Sequence, residues 1–208
     1  EKDLFESLGL STRKNVQFMW KNNNYVSFDH FLEFFSSRNR KNLKKERRKI
    51  AEQDLEIKRY TGNEISSDLV DDFYSFYVDT HLKRSGHSGY LNKDFFKQIT
   101  NAIPDNILMV LAYKDSRAVA GSFFFYDQNN LYGRYWGASN DYNALHFECC
   151  YYQGIDFCIE NNIKRFDPGV QGEHKIKRGF EPTFTFSSHW IENYDFSLAI
   201  KDFLLRED

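Results

Sequence analysis

The chain has 208 residues, enough for one domain or one large domain with an incomplete second, and a formal net charge of −2 at pH 7. That balance gives no global reason to bind nucleic acid or an anionic membrane surface. Hydrophobic residues are 41% and aromatics 18%, with 21 Phe and 13 Tyr to build an aromatic core, while only 3 Pro and 11 Gly argue against disorder.

Lys2 to Leu10 reads as a short helix and Asn15 to Trp20 as a strand, broken by Lys21-Asn22-Asn23-Asn24. Ser27 reads as an N-cap, with Asp29 favouring the positive helix end, and opens one long helix to about Gln53. Phe28, Phe31, Leu32 and Phe35 face the core from its first half. The second half is basic: Arg38, Arg40, Lys41, Lys44, Lys45, Arg47, Arg48 and Lys49 stand against the single acid Glu46. Leu55 to Tyr60 is a strand, and Ser67 opens a helix with Leu69, Phe73, Phe76 and Tyr77 on one face. A helix over Lys93–Ile103 stops at Pro104, which cannot continue it.

The period then shortens. Ile107–Tyr113, Ala118–Tyr126 and Leu131–Gly137, joined by Lys114-Asp115-Ser116 and Asp127-Gln128-Asn129-Asn130, predict an antiparallel meander. A helix over Leu145–Asn161, a short strand Arg165–Asp167, a strand Thr183–Ile191 and a helix Asp195–Leu205 follow, with no internal repeat. The order predicts an α/β (α+β) fold, a mixed and largely antiparallel sheet with helices on both faces.

Three cysteines, an odd number, make no disulfide framework; Cys149, Cys150 and Cys158 read as small buried side chains in a reducing compartment. No C-x-x-C pair or H-x-x-x-H spacing appears, so no metal site is expected. There is no apolar run near the roughly 18 residues of a membrane span and no signal peptide, so the expected setting is cytoplasmic. Oligomeric state is not legible.

Chemistry-bearing residues concentrate between Tyr132 and Trp190, where Arg134, Trp136, His146, Glu148, His174, Lys175, Arg178 and His189 crowd into one span. His146 and Glu148 are two residues apart on a helix and point in different directions. His146 shares a face with Cys150, Gln153 and Phe157, and Glu148 one with Tyr152 and Ile155. A glutamate on an apolar helix needs a cationic partner, for which Arg134 or Arg178 is the expectation. Cys149 or Cys150 as a nucleophile, with His174 or His189 as base, has no support in the spacing.

The element order is similar to the GNAT N-acyltransferase fold, in which the helix after the meander caps the acyl donor's pyrophosphate. Y-G-R-Y-W-G at 132–137, L-H-F-E-C-C-Y-Y at 145–152, Q-G-E-H-K-I-K-R-G-F-E-P at 171–182 and T-F-S-S-H-W at 185–190 are more specific. They resemble a bacterial family of GNAT-like predicted N-acyltransferases, also described as peptidoglycan biosynthesis or recognition proteins and distantly related to the Fem-type aminoacyl transferases. Gln17-Phe18-Met19-Trp20 and the segments Arg40-Lys41-Asn42 and Glu46-Arg47-Arg48 extend the resemblance over nearly the whole chain. Met19 departs from it, standing where a histidine is expected. Family members look like two GNAT-like halves. The chain resembles the carboxyl-terminal half, so residues 1–26 are expected to be a junction segment and 27–208 the GNAT-like domain.

The resemblance implies transfer of an acyl or aminoacyl group from acyl-CoA or aminoacyl-tRNA to a small-molecule or peptide amine, in peptidoglycan or peptide modification. The alternative is a non-catalytic module of the same fold that binds a peptidoglycan precursor, peptide or protein. A third reading is an interaction domain that needs its amino-terminal half. Arg134, Gly137 and Lys175 are expected around the donor's polar parts, since a pyrophosphate loop needs bare backbone N–H groups at a helix start. Glu173 or His174 is the expected base. Lys175 and Arg178 are placed to bind phosphate, carboxylate or oxyanion, with Arg178-Gly179-Phe180 as counterpart of a basic-Gly-Phe segment in Fem-type enzymes. Trp136, His146, Glu148, Tyr151, Phe180, His189 and Trp190 are the candidate cleft walls. Arg38–Lys49 is a candidate tRNA contact or another phosphate contact, although Arg40, Lys44, Arg47 and Arg48 share one helical stripe and most such stripes are solvated faces.

Overall fold

The computed structural model, which describes residues 2–170 and 172–207, pairs the apolar runs into one seven-stranded sheet. Gln171, the first residue of one motif string, lies outside the described residues. The strands are β1 (Ser11–Lys21), β2 (Glu56–Thr61), β3 (Ile107–Lys114), β4 (Arg117–Tyr126), β5 (Asn130–Ala138), β6 (Arg165–Asp167) and β7 (Glu181–His189), in the order β2-β3-β4-β5-β6-β1-β7. β5 and β6 run parallel; the other neighbours are antiparallel. The mixed, largely antiparallel sheet expected from the element order is the one found. Ser11–Lys21, which contains the expected strand Asn15–Trp20, is an interior strand between β6 and β7.

Helices cover both faces. On one, α4 (Ser67–Ser85) and α5 (Lys93–Ala102) bury Val70, Phe73, Tyr77 and Phe96 against Met109, Leu111 and Phe123. On the other, α2 (Phe28–Glu33), α3 (Ser37–Ala51) and the long rod after the meander bury Phe31, Leu43, Tyr152 and Ile155 against Leu108, Val110 and Phe124. That rod is α6 (Leu145–Phe147), a π-helical turn (Glu148–Tyr152) and α7 (Gln153–Glu160) in unbroken succession. The peripheral helices α1 (Lys2–Ser7) and α8 (Tyr194–Glu207) bury no residue and flank β1 and β7.

The single helix expected from Ser27 to Gln53 is two. Ser36 leaves helical geometry and its Oγ accepts from the Asn39 N–H at 3.4 Å, so a second cap interrupts the rod and turns Phe35 onto Phe31. α4 opens at Ser67 as expected, capped by Ser66, whose Oγ accepts from the Leu69 N–H.

Two features of the sheet open the site. The β5–β6 pairing covers only Asn130–Tyr132 against Arg165–Asp167, and Pro168 then stops the ladder because it has no N–H to give. Beyond that point, among the described residues, the second half of β5 pairs with no strand on its β6 side. In addition, Phe123 pairs Tyr135 while Phe124 pairs Gly133, so Arg134 is the extra residue of a bulge that re-aims its side chain.

Candidate functional site

The gap beyond the β5–β6 splay is a cleft of about 600 Å³. Its walls come from four places: the end of α4 (Tyr77, Thr80, His81, Arg84), the strands (Ser122, Phe124 and Gly133 to Trp136), the rod (His146, Cys150, Tyr151) and the loop after β6 (Pro168 to Val170, Gly172, His174 and Lys175). Six residues expected from the sequence line it: Arg134, Trp136, His146, Tyr151, His174 and Lys175.

The 3₁₀ turn Glu173–Arg178 delivers His174 and Lys175. His174 Nε2 lies 3.0 Å from the Tyr151 hydroxyl, and burial with the nearby Arg178 and Lys175 charges holds its imidazole below the usual value. Lys175 is 2% exposed and its Nζ donates to the Gly169 carbonyl at 2.6 Å. Desolvation lowers its ammonium pKa, partly offset by Asp167. His146 packs edge-on against Trp136 and Tyr151 at 5.3 and 5.4 Å. Burial, followed by the positive surroundings, pushes it down to about 4. Arg134 lies over the Tyr132 ring and pairs with Asp167 at 3.3 Å.

The remaining expected residues lie elsewhere. Gly137 is buried in the β4–β5 ladder, and a Cβ there would meet the Phe76 carbonyl carbon and oxygen at 2.2 Å. It is a glycine of helix–sheet contact, not of a pyrophosphate loop. Arg178 is 6% exposed and fully engaged: Glu46 takes two hydrogen bonds at 2.8 and 3.1 Å, the His174 carbonyl a third, and the Phe147 ring stacks 3.4 Å from the guanidinium carbon. It clamps the 3₁₀ turn to α3 and is absent from the cleft lining. Glu148, 3% exposed, takes a bidentate pair from Arg47 at 2.9 and 3.2 Å, so its partner is neither Arg134 nor Arg178. Arg47 also bonds Asp156 at 2.7 Å. Glu173 is exposed and off the lining. Phe180 is core, wedged between Tyr151 and Phe166. His189 and Trp190 sit at the end of the outer strand β7, His189 against Ser187 Oγ and Trp190 71% exposed, with β1 and β6 between them and the cleft.

On α3, Glu46 and Arg47 turn inward to these pairs, and Lys44 pairs Asp29. The outward stripe is Arg38, Lys41, Lys45 and Arg48, not the one containing Arg40 and Arg47. All three cysteines are free, and burial pushes their thiols up, so none is poised as a thiolate.

The sequence reading missed His81 and Arg84. Their spacing of three places both on one helical face, a signal that was available but was masked by the apolar face of the same helix. Among the described residues no group of three or more His, Cys, Asp or Glu is arranged to hold a metal, and no helix is long and apolar enough to cross a membrane.

Comparison with known proteins agrees with this architecture. A lysylphosphatidylglycerol synthase (L-PGS) from Bacillus licheniformis superposes with a TM-score of 0.62 at 11% identity, over 97% of this chain and 69% of its own. The C-terminal domain of a putative lysylphosphatidylglycerol synthetase from Agrobacterium fabrum gives 0.63 at 11% identity, over 98% and 68%. FemX gives 0.63 at 11%, over 96% and 70%. At these identities the likeness is one of fold. No curated protein matches by sequence. The family described as FemAB-like, peptidoglycan biosynthesis/recognition, matches residues 1–208, and the chain belongs to that family.

Proposed function

We propose that the protein joins an activated aminoacyl or acyl group to an amine, in the modification of peptidoglycan or a lipid. One observation carries this reading: the β5–β6 splay opens a cleft in which a neutral imidazole, His174, stands beside a buried ammonium, Lys175. Amide formation needs both. An attacking ammonium must first lose a proton to solvent; as the resulting amine adds to the acyl carbon, His174 takes the second proton from its nitrogen, with Tyr151 orienting the ring. Lys175 meets the negative charge that develops on the acyl oxygen. The C–N bond forms, the ester or thioester bond to the donor's leaving group breaks, and the His174 proton passes to that group.

Of the two donors implied by the family resemblance, an aminoacyl ester such as aminoacyl-tRNA fits better than acyl-CoA. With Gly137 sealed against α4 and Asp141 in the loop before α6, the segment between β5 and α6 offers no bare glycine cradle for a pyrophosphate. Incubation with labelled aminoacyl-tRNA or acyl-CoA and an amine-bearing peptidoglycan precursor tests the assignment. His174→Gln should lower kcat by about 100-fold or more with a native thermal midpoint; unchanged turnover would remove His174 from the role of base.

A second reading, a recognition module without turnover, draws on the closed pairs Arg178–Glu46 and Glu148–Arg47, which withdraw two expected site residues from any ligand. Ligand binding without product in the same assay would favour it.

A further inference from the structure

The wall supplied by α4 has no task in the transfer chemistry. Arg84 is exposed on the rim, and among the described residues no hydrogen bond or ion pair engages its guanidinium. Its charge is felt by His81, His146 and Cys150, and that of Lys175 by His146 and Cys150. Both cations line the same cleft, Arg84 from the end of α4 and Lys175 from the 3₁₀ turn.

The charge balance is one-sided. Arg84, Arg134 and Lys175 line the cleft, and among the described residues no aspartate or glutamate does. Asp167, off the lining, pairs with Arg134. His81, His146 and His174 are all held below the usual imidazole range by burial and positive neighbours. They add hydrogen-bonding capacity without charge near pH 7. A low-dielectric cleft lined by one sign concentrates ions of the other. Arg84 offers a planar fork for two oxygens and Lys175 a point charge, a complementary pair for an oxyanion.

We propose that Arg84, in the positive field that Lys175 adds to the same cleft, forms an anion-binding site that holds a phosphate or carboxylate group of the substrate. The inference deepens the transfer reading and rests on it for treating the ligand as substrate; the capture of an anion stands apart from turnover. A cleft of this size admits a ligand of drug-like dimensions and not merely a free ion.

Calorimetric titration tests it with three probes: inorganic pyrophosphate, a dipeptide with a free C-terminal carboxylate, and the same dipeptide amidated. The proteins are wild type, Arg84→Ala, and a control with Lys41→Ala and Lys45→Ala on the outer stripe of α3. Wild type should bind pyrophosphate or the free dipeptide but not the amide, and Arg84→Ala should weaken that binding by about tenfold or more. The control should bind like wild type, and all thermal midpoints should agree because the altered side chains are exposed. Preference for pyrophosphate assigns a diphosphate, and preference for the dipeptide assigns a carboxylate. Equal binding by Arg84→Ala and wild type, an equal loss in the α3 control, or no binding of either anion overturns the site. Arg84-dependent binding in a protein without transfer activity would retire the enzyme reading alone, whereas transfer with Arg84-independent binding would retire this site alone.

Discussion

Arg178 and Arg84 carry the same guanidinium to opposite ends. Arg178 is enclosed, with Glu46, Tyr152, the His174 carbonyl and the Phe147 ring around it. Removing it strands the Glu46 carboxylate in a half-buried site. Arg178→Ala should therefore lower unfolding stability by about 3 kcal/mol in urea titration, and Arg178→Lys should recover only part, since one ammonium cannot bridge both Glu46 oxygens. A loss of turnover at full stability would instead return Arg178 to the site. His146 supplies the pH dependence. Its folded pKa of about 4 lies below the ordinary 6.5, so between those values the unfolded chain binds a proton that the folded chain does not. Stability should fall as pH drops through that window, by roughly 2–3 kcal/mol, and level off below it. His146→Phe should flatten the slope in denaturation midpoints taken from pH 7 to pH 4.

At the scale of elements, the rod after the meander depends on its π turn. Regular helical spacing put Gln153 on the face of His146, yet Gln153 Nε2 donates to Glu148 Oε1 at 2.7 Å, a contact five residues apart. The wider turn advances Tyr151 into the cleft beside His146 and Cys150. The Cys149 carbonyl within it accepts from buried Ser122 Oγ at 2.8 Å, so the irregular turn leaves that group satisfied. A different wall of the cleft relies on α4 lying close to β5 over Gly137. Gly137→Ala would drive a methyl into the Phe76 backbone, which has no side-chain freedom to yield. We expect about 3 kcal/mol of destabilisation by chemical denaturation and a weakened cleft, because α4 carries His81 and Arg84. The basic character of α3 was visible in sequence. Which of its residues face solvent was not, because Glu46 and Arg47 take partners more than a hundred positions away.

At the scale of the molecule, what was legible and what was not divide along the range of the interactions. The meander, the final helices, the stop at Pro104 and the two-faced α/β architecture follow from periodicity and turn chemistry, which act over a few residues. So does the concentration of site residues, since Arg134, Trp136, His146, Tyr151, His174 and Lys175 all fall in one span and all reach the cleft. The sequence by itself therefore determined most of the elements, the fold class, the family and residues of three of the cleft's four walls. Tertiary structure decided the rest: that β1 enters the sheet interior, that three residues of pairing end at Pro168 and open the cleft, that Arg178 and Glu148 are closed off, and that α4 contributes Arg84. Each of those outcomes depends on which distant carboxylate or backbone a side chain meets, and no local pattern encodes a partner brought near only by the folding of the whole chain.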